Sequence, residues 1–394
     1  MKILFVLSRV PYPLHKGDKL RAFNQMKELS KNHSITLLAI NEPNNKYNSE
    51  TIDILNKYCE KVVIVNLNYF GICWNILGAI TKNLPLQVGY FYSKKAKKVL
   101  DNLIANSNFD CIYCQLIRTA EYIKDIKSPT KIIDYMDAFS KGIERQIPNA
   151  KFPMSWILKY ERRMLEKYEA IAYNYFDKHS IISNQDKNHL TLSKNLKDKV
   201  KVIPNGVDIE YFHPTPENKT IDLLYCGNMN YPPNISAAIY LVKNIIPLLL
   251  IKHPNIKTVI AGTNPSKEVR DLESNNVKIT GWVKDIRPYY SKSKIFIAPM
   301  QTSIGMQNKI LEAMAMQLPC ITSQMANNAI EAESGTNVLI GNSPEEYKAH
   351  IEKLLSDPAL SSKIGMNGFN FVKGHYSWSQ TTKELEQILC NFAI

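Results

Sequence analysis

The stretch KIFIAPMQTSIGMQNKILEAMAMQLPCITS, residues 294–323, decides the fold. Its two ends, KIFIAP (294–299) and PCITS (319–323), are short apolar runs without polar alternation, as in strands buried on both faces. Between them a loop holding Gly305 leads into a helix expected over residues 308–316, which Leu318-Pro319 ends by turning the chain into the next strand. Strand, helix and strand in that order make one turn of a doubly wound parallel sheet.

Outward from this unit the same rhythm recurs. IDLLYC (221–226), KTVIAG (257–262), VKIT (277–280) and NVLIG (337–341) read as further strands, with helices expected over 235–250 and 345–355. The first half repeats it with KILFVL (2–7), SITLLAI (34–40), KVVIVNL (61–67), DCIYC (110–114), KIIDY (131–135), HSIIS (179–183) and KVIP (201–204), and with helices over 20–29 and 94–104. At roughly 150 residues per domain, 394 residues accommodate two such cores. Pro204, Pro214 and Pro216 with Asn205-Gly206 mark the junction, which predicts domains over 1–203 and 204–378. Thr382, Leu385, Ile388, Leu389 and Phe392 pattern a final helix, 379–394, expected to return to the first domain. The fold class is therefore α/β, two doubly wound Rossmann-like domains whose strand ends are expected to face a central cleft.

Composition narrows the function classes. Apolar residues at 45% and charged residues at 22% exclude disordered and disulfide-scaffold chains. Seven scattered Cys and an N-terminus that runs straight into ILFVL suggest a reducing, cytoplasmic location. Cys111-x-x-Cys114 lacks a second pair and alternates like a strand, so it reads as core. The His spacings and the lack of an Asp-x-Asp motif predict no metal and no cofactor beyond a substrate nucleotide. The net charge of +13 is one-sided: residues 1–200 hold 31 Lys and Arg against 19 Asp and Glu, and the remainder 18 against 17. Such a field attracts nucleic acid, anionic lipid or a phosphorylated substrate. No recognition motif or basic-aromatic interleaving supports nucleic acid. The run 69–80, with Trp74 and several aliphatics, followed by Lys94, Lys95, Lys97 and Lys98, reads either as an apolar helix docking on an anionic inner leaflet or as a buried helix beside a solvated Lys face.

The helix start near residues 306–308 offers backbone amides, and Lys309 adds a charge, which together suit a diphosphate. Glu312, one turn on, could accept from ribose hydroxyls. A surface helix opening with a Lys and a Glu satisfies the same spacing. In the first half, Asp134 and Asp137 at a strand end could orient an acceptor hydroxyl, although Asp137 also suits an N-cap. Arg118 after the strand 110–114 could bind an acceptor phosphate or sit on a helix surface.

NKILEAMAMQLPCITS (308–323), read with Gly305, PNGVD (204–208), YCGN (225–228), ITGWV (279–283), YSW (376–378) and the opening KILFVLSRVPYPLHKGDKLRAFNQMKEL (2–29), resembles retaining GT-B glycosyltransferases of family 4, closest to a bacterial exopolysaccharide-associated subgroup. The resemblance implies that Gly17, Gly227 and Asn228 approach the donor phosphates, that Trp282 and Val283 line the base, and that Gly305, Met306 and Gln307 present amides while Lys309 and Glu312 hold diphosphate and ribose. It further implies transfer of a hexose-type sugar to a glycan or lipid-linked acceptor. A nucleotide-sugar 2-epimerase and a non-catalytic sugar-nucleotide or glycan-binding subunit share the architecture. Three positions depart from the family pattern: Ile304 stands where a first glutamate is common, Asn228–Asn234 lacks the usual Arg and Lys, and Met136 replaces a His, leaving Asp137 as its polar neighbour.

Overall fold

The computed structural model describes residues 1–302 and 306–390, apart from the side chain of Asn149. The chain divides into two compact units, Met1–Pro204 with the chain from Thr382 onward, and Asn205–Thr381.

Unit 1 is built on seven parallel strands: β1 (Lys2–Leu7), β2 (Ser34–Asn41), β3 (Lys61–Asn66), β4 (Cys111–Gln115), β5 (Thr130–Asp134), β6 (Lys178–Ile181) and β7 (Lys201–Val202). Their order is β3-β2-β1-β4-β5-β6-β7, so the winding reverses between β1 and β4, where Ile3 pairs with Cys111 and Leu7 with Gln115. Unit 2 has six parallel strands, β8 (Ile221–Cys226), β9 (Thr258–Ala261), β10 (Val277–Gly281), β11 (Ser293–Ala298), β12 (Cys320–Thr322) and β13 (Leu339–Ile340), in the order β10-β9-β8-β11-β12-β13. Its reversal lies between β8 and β11. In both sheets the chain leaving the reversal point opens a crevice at the carboxyl ends of the strands, the ligand position of doubly wound sheets.

Every strand foreseen from the apolar runs forms, because helices cover both faces and leave the strands no polar side. One layer of unit 1 packs Leu4, Val6, Ile112 and Cys114 under the helices Tyr69–Thr81, Leu86–Phe91, Lys94–Ala105 and Met154–Tyr173. The other packs Ile3, Phe5, Cys111 and Tyr113 under Gly17–Leu29, and Leu385 and Leu389 of the helix Trp378–Cys390 complete it. Cys111 and Cys114 are thus core residues on opposite faces of β4, and burial pushes the Cys111 thiol up to about 12.

Two elements differ from expectation. The helix expected over 235–250 runs over Pro232–Leu250 with a π segment at Leu241–Ile245. It is apolar and long enough to cross a membrane, yet Ala237, Ala238, Leu241, Ile245 and Leu249 bury into the unit 2 core. The helix for which Asp137 suits an N-cap is Phe139–Glu144, with Ala138 and not Asp137 at the cap, and the residues after it form a separate short turn, Ile147–Asn149.

Candidate functional site

In unit 2 the site is assembled on β8, the start of the following helix and the helix Asn308–Ala315. Gly227 follows β8 with φ 158°, and its N–H donates to Ala261 O at 3.0 Å. A Cβ there would lie 2.8 Å from Asn234 Nδ2 and 3.3 Å from Lys309 Nζ, so the missing side chain is what admits the lysine. Lys309 Nζ donates to Asn234 Oδ1 at 2.5 Å and to Tyr225 Oη at 3.2 Å, and it lies 4.8 Å from the centre of the Tyr225 ring. All these partners are neutral. Burial brings the ammonium down to about 8, against the opposing pull of Cys226 and Glu312. A cation desolvated among neutral groups gains strongly from an incoming anion.

Glu312 stands on the same helix. Tyr290 Oη donates to its Oε2 at 3.0 Å and lies 3.0 Å from Cys226 Sγ. Burial raises the carboxyl above its ordinary value, and the Tyr290 hydrogen bond and Lys309 only partly offset it. At the helix start no side chain caps the amides. Gln307 occupies the N-cap position and is buried, Met306 packs partly into the core, and Asn308 Oδ1 accepts from Asn205 Nδ2 at 3.2 Å. Gly305 and Ile304 lie outside the described residues.

The remaining expected donor contacts are more dispersed. Asn228 is exposed, and its polar atoms are spent on a turn, Oδ1 accepting from Asn230 N and the carbonyl from Asn234 Nδ2. Trp282 follows β10 at the sheet edge and is 65% exposed, with Val283 half-buried beside it. Gly17 begins its helix, and a methyl in place of its hydrogen would meet nothing within 4 Å, so protein packing places no demand on that glycine. Sequence reading missed Tyr225, Asn234 and Tyr290; a polar residue two turns from a strand end carries no local mark of its partner.

In unit 1 the reversal point gathers Arg9, Asp18, Arg118 and Asp137. Arg9 Nη1 donates to Asp18 Oδ2 at 2.7 Å and Nη2 to Glu42 Oε1 at 3.4 Å. Arg118 is not on a helix surface. It lies in the turn Ile117–Thr119, between the rings of Phe91 and Phe139 at 4.8 and 4.9 Å, with Nε donating to Gln87 Oε1 at 2.8 Å. Its Nη1 is buried without a partner. Burial, then the neighbouring Arg9, bring the guanidinium down to about 10, with Asp18, Asp137 and Glu42 only partly compensating. It remains charged and under-compensated.

Asp137 makes no N-cap bond; Ala138 holds that position, and Asp137 Oδ1 is buried without a partner. Burial, followed by repulsion from Asp186, pushes its carboxyl up to about 7. Asp134 requires a correction. It is fully enclosed and accepts four hydrogen bonds, from Arg21 Nε at 2.5 Å and Nη2 at 3.3 Å, Tyr113 Oη at 2.8 Å and Met136 N at 3.2 Å, and so has no lone pair to offer an acceptor. Its role is to tie β5 to the helix Gly17–Leu29 and to shape the loop in which Met136 adopts φ 62° and Asp137 is presented. Among the described residues no three His, Cys, Asp or Glu side chains cluster as a metal-binding group.

Comparison with known proteins agrees with this architecture. Residues 220–357 match the family model described as glycosyl transferases group 1. The chain is 24% identical to the uncharacterized 44.6 kDa protein in the cps region of Klebsiella pneumoniae, over 95% of this chain and 96% of that one. It is 29% identical over 209 residues, 44% of this chain and 51% of the relative, to the UDP-Gal:alpha-D-GlcNAc-diphosphoundecaprenol alpha-1,3-galactosyltransferase of Escherichia coli. Among solved structures, HepE of Anabaena in complex with UDP aligns over 100% of both chains with a TM-score of 0.69 at 15% identity. Residues 220–357 thus resemble the group 1 glycosyl transferases, and the two units share the GT-B fold of HepE.

Proposed function

We propose that this protein moves a hexose-type sugar, with retention and without a metal, from a nucleoside diphosphate sugar to a hydroxyl of a growing cell-surface polysaccharide. The observation that carries this reading is Lys309: an ammonium held by Asn234 and Tyr225, with neutral partners only, at the uncapped start of a helix whose next turn bears Glu312. Backbone amides and Lys309 would stabilise the departing diphosphate, the charge that a metal otherwise neutralises, while Glu312, oriented by Tyr290, accepts from ribose hydroxyls. In unit 1, Arg118 supplies an under-compensated cation for an acceptor phosphate and Asp137 a carboxyl for an acceptor hydroxyl. The polysaccharide setting follows the cps-region relative, and the UDP of HepE and UDP-Gal of the Escherichia coli relative make UDP the first nucleotide to test.

The test is a thermal-shift and calorimetric titration with UDP, GDP, ADP, CMP and their sugar conjugates without metal. One nucleotide diphosphate should stabilise the protein selectively. Lys309→Ala and Glu312→Ala should each weaken it by roughly 1.5–3 kcal/mol, the range for hydrogen bonds to charged groups. Unchanged affinity in both folded variants sinks the assignment.

A further inference from the structure

Two helices of unit 1 leave aromatic residues in water. On Tyr69–Thr81 the inward face, Ile72 and Ala79, joins the core, while the outward stripe reads Phe70, Trp74, Leu77 and Ile80, all apolar, with Phe70 75% and Trp74 62% exposed. A helix facing water ordinarily carries its polar residues there. The helix Met154–Tyr173 buries Leu165 and Tyr168 in the same core, and its start carries Phe152 and Trp156, 78% and 73% exposed, their rings packed edge to face. Along the exposed face that continues from Trp156 follow Lys159, Arg163 and Lys167, at helical spacing.

The two helices are tied together. Glu161 of the second accepts from the backbone N–H of Leu86 at 2.6 Å and of Gln87 at 3.2 Å, capping the short helix that packs on Tyr69–Thr81. Charge around both patches is predominantly positive. From Leu67 to Leu100 there are five Lys and no Asp or Glu; from Arg145 to Arg163 there are five Lys or Arg and one acid, the buried Glu161. Lys94, Lys95 and Lys98 are exposed.

We infer that this surface docks unit 1 on an anionic lipid bilayer, with Phe70, Trp74, Phe152 and Trp156 entering the headgroup boundary and the flanking Lys and Arg meeting lipid phosphates. The 13-residue helix Tyr69–Thr81 is about 20 Å long at 1.5 Å per residue, short of a ~30 Å hydrocarbon core, so it lies in the interface and does not span. A second copy of this chain would meet the same net positive charge on itself; a phosphate-rich bilayer meets its complement. The surface also connects to the acceptor side of unit 1, since Glu161 binds Gln87, whose Oε1 accepts from Arg118. If the transferase reading holds, an acceptor anchored by a lipid phosphate is delivered beside that arginine.

The test is sedimentation of the full chain with phosphatidylcholine vesicles, with and without phosphatidylglycerol. Binding should require the anionic lipid, weaken with added salt and shift tryptophan emission to the blue. Phe70→Ser/Trp74→Ser, Phe152→Ser/Trp156→Ser and Lys94→Ser/Lys95→Ser/Lys98→Ser should each lower partitioning about tenfold or more. These side chains are exposed, so each variant should keep the parent's melting temperature. Absence of binding to anionic vesicles, or unchanged partitioning by both aromatic variants, overturns the inference. So does a concentration-dependent dimer that Trp156→Ser dissolves, which would make a second copy the occupant. Vesicle binding and nucleotide binding are read separately, so failure of either leaves the other standing.

Discussion

Lys309 shows how a single residue combines a fold position with a chemical purpose. Its charge is held close to neutral pH by burial, so the unliganded protein begins to lose it near pH 8, and a bound diphosphate raises that value again. The sign follows: donor binding takes up a proton above about pH 8, and affinity should fall as pH rises beyond it, a slope that calorimetry at several pH values detects and that Lys309→Ala abolishes. Asp137 makes the converse case. Its folded-state value, about 7, lies above the ordinary carboxyl value of about 4, so the native protein binds the extra proton and is penalised as pH rises from 4 through 7. Asp137→Asn should therefore unfold later than the parent at pH 8, by about 1–3 kcal/mol, with little difference at pH 4, while losing about tenfold or more in transfer rate. A variant that is less stable at pH 8 refutes the orphaned-carboxyl reading.

At the scale of elements, the strand ends do the positioning. The ends of β8 and β9 touch through glycines: a Cβ on Gly262 would sit 1.6 Å from Gly227 O, and φ at Gly262 is 150°. Gly262→Ala must move the very turn that makes room for Lys309. It should cost about 3 kcal/mol or more in chemical denaturation and should also weaken nucleotide binding. The unit 1 counterpart is the end of β5. There the Arg21–Asp134 pair holds the loop while Asp137 stays bare, a division of labour between two aspartates three residues apart. Spacing could not assign those roles, since Arg21 lies 113 residues away in the chain.

For the whole molecule, unit 1 is closed by the far end of the chain. Leu385 and Leu389 are fully buried among Ile3, Phe5 and Leu7. Leu385→Ala should destabilise unit 1 by about 2–5 kcal/mol, the cost of a core cavity, and hydrogen exchange should locate the loosening in β1 and β2, not in β8 to β13. Uniform loosening of both units would contradict the division of the chain. The charge follows the same division: the basic excess lies in residues 1–200, and the proposed nucleotide site lies in the nearly neutral remainder.

The apolar runs alone determined the strands, the two-unit plan and the returning helix, because a strand buried on both faces must be apolar throughout and this shows in four to six consecutive residues. The motif around residues 308–323 singled out Lys309 and Glu312 as candidates. Tertiary structure decided which polar groups are satisfied and which are left bare, since partners are chosen across the sheet and not along the chain. Asn234 and Tyr225 around Lys309, Tyr290 at Glu312, Arg21 at Asp134 and the unpartnered Asp137 Oδ1 and Arg118 Nη1 all belong to that category. The outward aromatic stripe of Tyr69–Thr81 does too: its apolar composition was legible, but only packing settled which face the core would leave uncovered.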